Sequence, residues 1–221
     1  MIVKEVEIKW LGHSSVKIKT PDGKIIYIDP YEIKENSDKA DFILITHSHP
    51  DHCSIADIEK VIKQNSRVVI SADCQSKITR IKTPLKIEVI ELGNEMDFHS
   101  IKVLSVPAYN TDKSFHPKSE AWFGYVIKIG EVIVYHAGDT DFIPEMQKLT
   151  GYKRNGNEFI ALLPIGGRFT MDVDEAVEAA KVIKPSLAVP IHYGAIIGSR
   201  NDAEEFVKQC KSQGISSKIL E

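Results

Sequence analysis

The stretch Thr46-His47-Ser48-His49-Pro50-Asp51-His52 places three imidazoles and one carboxylate within six residues, from His47 to His52. Imidazole nitrogen and carboxylate oxygen are donors suited to zinc, and also to manganese or iron. Pro50 restricts the turn. Four donors on so short a loop cannot easily all reach one ion. Two adjacent ions, each taking a pair of donors, relieve that geometry. Protonated histidines ahead of a helix would oppose its dipole, which argues against a merely solvated loop. Elsewhere, other apolar stretches also run into residues able to bind a metal: Ile28 into Asp29, Tyr135 towards Asp139, and Ile191 into His192. In layered α/β folds ligands gather beyond the carboxyl ends of the strands, so residues far apart in the chain can converge there.

The elements that must position these residues follow from hydrophobic patterning. Residues 3–10 and 15–19 alternate as half-buried strands. Pro21-Asp22-Gly23 is a turn signal, and a more continuously apolar strand follows over 24–30. Residues 41–46 form a buried strand that ends abruptly at His47. Ser54 caps a helix that carries Ile55, Ile58, Val61 and Ile62 on one face. A strand over 67–70, a short helix within 74–81 and several strands between 87 and 106 come next. Two strands, 123–129 and 132–135, flank a turn at Gly130. The last third alternates: a strand over 159–164, an Ala-rich helix from Asp172 or Asp174 to about Ile183, a strand over 185–191 and a helix over 202–213. A strand-rich stretch followed by strand–helix units occurs in both halves. The expectation is one domain over residues 1–221, mixing sheet and helix, with helices covering the sheet faces.

Composition narrows the function classes. The chain has 221 residues, 28 basic against 31 acidic, a formal charge of −3 and 43% hydrophobic residues. That apolar content is too high for a disordered chain. The near-neutral balance argues against a dominant basic face for nucleic acid or acidic lipid. Cys53, Cys74 and Cys210 are odd in number and form no CxxC pair, as expected in a reducing compartment. No apolar leader opens the chain and no run approaches the ~18 residues of a membrane span, so a cytoplasmic protein is expected. GxSxG, a Walker loop and a strand-borne GxGxxG are absent, so neither a serine nucleophile nor a nucleotide cradle is indicated.

His47-x-His49-x-Asp51-His52 is similar to the HxHxDH signature of the metallo-β-lactamase superfamily, and the resemblance extends over nearly the whole chain. Trp10-Leu-Gly-His-Ser-Ser15 and Tyr27-Ile-Asp-Pro30 resemble the N-terminal strands of that family. Ala137-Gly-Asp-Thr-Asp141 resembles the motif of its bridging aspartate, and Pro190-Ile-His-Tyr-Gly194 its final ligand motif. The LGHS and HAGDTD forms resemble most the branch of metal-dependent hydrolases that includes the L-ascorbate-6-phosphate lactonase. The resemblance implies an α+β fold, an αββα sandwich of two mixed β-sheets face to face with helices on both outer faces. It implies two divalent metal ions, zinc first, with manganese or iron as alternatives. His47 and His49 would serve the first ion, Asp51, His52 and His192 the second, and Asp139 would bridge. The family's third histidine for the first ion is expected after a strand near 103–107, where this chain has Ala108-Tyr-Asn110. The expectation is that His116 loops back to complete the site; otherwise the first ion is weak or absent. An amide oxygen from Asn110 would be a poor zinc ligand.

The reaction expected is hydrolysis of a small ester, lactone or phosphoester by water activated between two cations, with Asp51 orienting the nucleophile and relaying its proton. His13, Asn110, His136, Arg168 and Tyr193 are further candidates for contacting substrate or supporting the ligands, Arg168 by gripping an anion beside Gly166 and Gly167. Cys53 is expected to point into the helix packing. Two rival readings stay in view: a nuclease or phosphodiesterase acting on RNA, disfavoured by the acidic balance, and a non-catalytic metal-binding or sensor protein, motivated by Asn110. Expected partners are a small-molecule substrate, with no membrane and no nucleic acid; assembly into a homo-oligomer is left open.

Overall fold

The computed structural model describes residues 1–220, which divide into two compact units, 1–91 and 92–220. Unit 1 holds a seven-stranded sheet in sequential order: β1 (Ile2–Val3), β2 (Val6–Gly12), β3 (Ser15–Lys19), β4 (Ile25–Ile28), β5 (Phe42–Ile45), β6 (Arg67–Ile70) and β7 (Lys86–Val89). The first four strands pair antiparallel and β4 to β7 pair parallel. Unit 2 has six strands: β8 (Glu95–Asp97), β9 (Ile101–Pro107), β10 (Phe123–Ile129), β11 (Val132–His136), β12 (Glu158–Pro164) and β13 (Leu187–Ile191). Here β8 to β11 pair antiparallel and β11, β12 and β13 parallel. Both sheets are thus mixed, and the echo between the halves of the sequence is a repeat of one plan: an antiparallel meander leading into parallel strands.

The inner parallel strands are short apolar runs because both of their faces are buried, whereas β7 at the sheet edge is largely exposed. Every residue of β4 is buried, as are the last three of β5 and of β6. Ile25, Tyr27, Ile43, Ile45, Val68 and Ile70 share a core with Ile58, Val61 and Ile62, which lie on or just after α1 (Ile55–Val61). Cys53 and Cys74 belong to the same core, so Cys53 packs inward as its sequence context suggested. Ser54 accepts the Asp57 amide at the N-cap of α1. Asp57 then accepts the backbone amides of Glu32 and Ile33 at 3.0 and 2.9 Å, fastening the connection after β4 to the helix. Burial by itself would raise the Asp57 carboxyl. Its hydrogen bonds from Ser54, Lys60 and the two amides outweigh burial and hold it below the usual carboxylate range.

After α2 (Gln75–Ile78) in unit 1, the remaining helices belong to unit 2. Asp172, not Asp174, caps α3 (Val173–Ile183), in a reciprocal capping box with Glu175. Ser199 and Asp202 make the same box for α4 (Arg200–Ser212), which begins two residues earlier than the sequence pattern suggested. The alternating run at 3–10 is not one strand. Lys4 and Glu5 adopt φ of +43° and +67°, and Val3 pairs with Val6 across a two-residue hairpin. Such turns ordinarily carry Asn-Gly or Asp-Gly, so Lys-Glu gave no signal. Among the described residues no helix is long and apolar enough to cross a membrane.

Candidate metal centre

In each unit the chemistry lies beyond the C-terminal ends of the parallel strands. Asp29 follows β4 and the loop 46–52 follows β5; the Asp139 turn follows β11, Gly166 follows β12, and His192 follows β13. Two of these residues, Asp29 at φ +45° and His192 at +57°, stand in left-handed backbone conformation, as does His13 at +49° just after β2. Non-Gly residues adopt this region in only a few per cent of cases, Asp and His more readily than most, and here it turns the backbone sharply where the strand ends.

In unit 1 the loop 46–52 is tightly wound, with the amides of His52 and Cys53 both donating to the His49 carbonyl. Its outer side is tied down by the Ser48 amide on Asp73 and by Lys77 on the Ser48 carbonyl. Within it, the hydrogen bonds assign the imidazole protons. Asp29 is buried and accepts from the Thr46 amide at 2.8 Å, the Thr46 hydroxyl at 2.7 Å and His52 Nδ1 at 2.8 Å. A carboxylate only accepts, so His52 Nδ1 carries its proton. The single Thr46 hydroxyl proton goes to Asp29, so that oxygen accepts from His47 Nδ1, 3.0 Å away. Both Nδ1 atoms are thereby protonated, and both Nε2 atoms keep a lone pair for an electrophile. His47 Nε2 lies 3.0 Å from His49 Nδ1. Asp51 Oδ2 lies 2.9 Å from His13 Nε2 and 3.4 Å from His52 Nε2. His13 is itself buried, with its carbonyl held by the Trp10 indole at 2.7 Å. One ligand atom each from His13, Asp51 and His52 lies within 4.8 Å of the others.

Unit 2 builds its share by the same logic. His116 Nδ1 faces two acceptors, Asn110 Oδ1 at 3.0 Å and the Phe169 carbonyl at 3.1 Å, so Nδ1 is protonated and Nε2 carries the lone pair. His116 Nε2 lies 3.2 Å from Asp139 Oδ2, and His192 Nε2 lies 3.1 Å from the same oxygen. The amide of Asn110 is committed on both sides: Oδ1 also accepts the His116 backbone amide at 2.9 Å, and Nδ2 donates to Asp141 and to the Phe169 carbonyl, both at 2.9 Å. Asn110 is therefore the bracket that folds the loop back and presents His116, not a donor atom in its place. Asp141 anchors that loop from beneath through Thr111 and Lys113. Burial would raise the Asp141 carboxyl, but Lys113, the Thr111 amide and Asn110 hold it below its usual range.

The other candidates, His136, Tyr193 and Arg168, lie on or beside the loops of unit 2 that carry Asp139 and His192. His136 is buried at the end of β11 and accepts the Gly138 amide at 3.3 Å, shaping the turn that carries Asp139. That turn passes so close to β10 that a Cβ on Gly124 would lie 2.4 Å from the His136 carbonyl oxygen. A Cβ on Gly166 would lie 2.8 Å from His192 Nδ1, so its missing side chain is the space that ring occupies. Tyr193 is buried beside Gly198, whose absent Cβ would press on it. Arg168 is exposed, with its guanidinium over the Phe169 ring at 5.3 Å. Sequence reasoning placed Asp29 at a strand end as a donor; it instead orients His52 and, through Thr46, His47. The signal for that role was adjacency: β4 and β5 are parallel neighbours, so Asp29 and Thr46 leave the sheet side by side.

The donor chemistry fits divalent cations. Buried imidazole Nε2 atoms locked in the metal-binding tautomer, together with carboxylate oxygens, form an N/O set of the kind zinc, manganese and iron accept.

Comparison with known proteins agrees with this reading. Residues 7–192, spanning parts of both units, match the family model described as a beta-lactamase superfamily domain. The chain is 34% identical over 211 residues to a UPF0173 metal-dependent hydrolase of Thermoplasma acidophilum, covering 92% of this chain and 90% of that one. A crystal structure from Parabacteroides distasonis, of a protein described as a metal-dependent hydrolase, is 32% identical with a TM-score of 0.83, covering 97% of this chain and 92% of the other. Igni18, a metallo hydrolase from Ignicoccus hospitalis, is 27% identical with a TM-score of 0.76, covering 98% and 95%. The α+β class expected from the sequence is the one these structures share.

Proposed function

Because the chain belongs to the beta-lactamase superfamily, beside the UPF0173 metal-dependent hydrolases, we propose that it is a metal-dependent hydrolase acting with two divalent ions. In this reading the metal ligands are His47, His49, Asp51 and His52 of unit 1 and His116, Asp139 and His192 of unit 2, and the substrate is a small ester, lactone or phosphoester. Zinc suits the nitrogen-rich donors best, with manganese or iron as alternatives. The observation that carries the proposal is the locked tautomer: His47, His52 and His116 each bond through Nδ1 and keep Nε2 as a donor. A structural histidine has no need of three such arrangements. His116 lying 3.2 Å from Asp139 supports this reading over a non-catalytic one, whose motive was the lack of a histidine at 110.

Bound divalent ions supply Lewis acidity, lowering the pKa of water from about 15.7 towards about 7. Asp51, at the edge of its set, accepts a hydrogen bond from the attacking water and takes up its proton for delivery to the leaving group. His13, 2.9 Å from Asp51, fixes the carboxylate in the orientation this requires.

The test is metal stripping. Chelated protein should lose turnover on a panel of chromogenic esters, lactones and phosphodiesters and recover it with zinc, manganese or iron, with two ions per chain by elemental analysis. Full turnover without metal refutes the metal-dependent reading, and saturation at one ion refutes the dinuclear one.

A further inference from the structure

The loop that presents His116 also places a large apolar side chain in solvent immediately before it. Phe115 is 40% exposed. Its ring meets Phe169 edge-on, with centroids 4.7 Å apart. The Arg168 guanidinium lies over that same Phe169 ring, 5.3 Å from its centroid. No carboxylate among the described residues pairs with Arg168. Phe169 meanwhile holds His116 through its carbonyl, so this group is fastened to the candidate ligand by one hydrogen bond of 3.1 Å. A second exposed apolar side chain, Ile196 at 51%, sits on the loop that follows His192, and that loop packs on Gly166 through Ile197. Among the described residues only a few large apolar side chains are exposed, and two of them stand on the two loops that carry His116 and His192.

We propose that Phe115, Phe169 and Arg168 form the substrate-recognition rim, selecting small substrates that join a flat apolar group to an oxyanion. The inference rests on the hydrolase reading and adds its substrate class. A guanidinium stacked on an aromatic face is held in plane while its N–H edge stays available, and that edge matches two oxygens of a carboxylate or phosphonate. The exposed Phe115 face supplies a platform for the apolar part, which leaves water on binding. The rim thus reads charge with one residue and shape with two, close to the side chain that would hold the metal.

The test is calorimetric binding of non-hydrolysed probes to the metal-loaded protein: phenylacetate, phenylphosphonate, benzyl alcohol and acetate. Phenylacetate or phenylphosphonate should bind at least about tenfold more tightly than benzyl alcohol or acetate, and the tighter of the two identifies the oxyanion. Arg168→Gln should weaken the anionic aryl probes about five- to tenfold and leave benzyl alcohol unchanged, whereas Phe115→Ala should weaken all aryl probes about threefold or more. Arg168→Lys keeps the charge without the planar fork and should fall between wild type and Arg168→Gln. Both side chains are exposed, and unchanged melting temperatures verify that the variants fold. Equal affinity for phenylacetate and acetate, or an unaltered Arg168→Gln variant, overturns the rim. Metal-dependent turnover without these preferences refutes the rim alone. The preferences without metal-dependent turnover refute the hydrolase reading and leave the rim standing as a binding site.

Discussion

Replacing Asp29 by Asn tests how the histidines are held. Asn tolerates the left-handed backbone that Asp29 adopts at φ +45°, so the chain path is preserved. The three bonds that Asp29 accepts, from the Thr46 amide, the Thr46 hydroxyl and His52 Nδ1, meet a different partner. The Asn oxygen can still take the Thr46 amide. Its NH2 group, placed where Oδ2 was, now donates to both Thr46 Oγ1 and His52 Nδ1. His52 must then carry its proton on Nε2, and the Thr46 hydroxyl turns to donate to His47 Nδ1, so His47 switches as well. One substitution reverses two tautomers and removes two lone pairs from the metal-facing side. The buried network loses its charge-assisted bonds, a cost of about 1–3 kcal/mol in stability. Metal affinity should fall about 10–100-fold, as is usual when a partner that orients a ligating histidine is lost. Chelator competition measures the affinity, and imidazole nitrogen chemical shifts in metal-free protein report which ring nitrogen is protonated. Asp29→Asn protein that binds metal within about twofold of wild type, with His47 and His52 still protonated on Nδ1, would refute the reasoning.

Other outcomes follow from the same geometry. Asn110→Ala removes the acceptor of the His116 backbone amide, while His116 Nδ1 keeps the Phe169 carbonyl, and should cost about 1–3 kcal/mol in urea unfolding, the penalty for one buried group stranded; Asn110→Asp should not restore it, because its second oxygen would face the Asp141 carboxylate and the Phe169 carbonyl. Gly124→Ala forces a methyl group to within 2.4 Å of backbone at the Asp139 turn, and the protein should express insoluble or melt far below wild type in a thermal scan. Asp57 titrates below its unfolded value, so the stability it contributes is present above about pH 4 and drains away as acid drives the pH through its folded value. Acid unfolding curves of Asp57→Asn should accordingly be flatter in that range than those of wild type.

The candidate ligand loops were legible in the sequence because possible donors cluster where apolar runs stop, and an abrupt strand end is a local property. His47 to His52, Asp139 and His192 were found that way. The roles of Asp29, Thr46 and Asn110 were not, because each depends on which side chains become neighbours across parallel strands or a returning loop. Gly124 and Gly166 were opaque for a similar reason: what they accommodate belongs to another segment. The hairpin at Lys4 and Glu5 was missed because neither residue type announces a left-handed turn, and the alternation of apolar positions continues through it unbroken.

The two ligand groups differ in how much chain must be organised before they exist. Those of unit 1 cluster within a single loop between β5 and α1, built on strands that are early in the chain and sequential neighbours. Those of unit 2 are drawn from residues 116, 139 and 192, and the last rides on β13, the edge strand that closes its sheet. Local contacts form faster than distant ones. A cation present during refolding would therefore be captured first by the His47 to His52 loop, and metal uptake followed in time should show a fast phase and a slower one limited by the docking of β13.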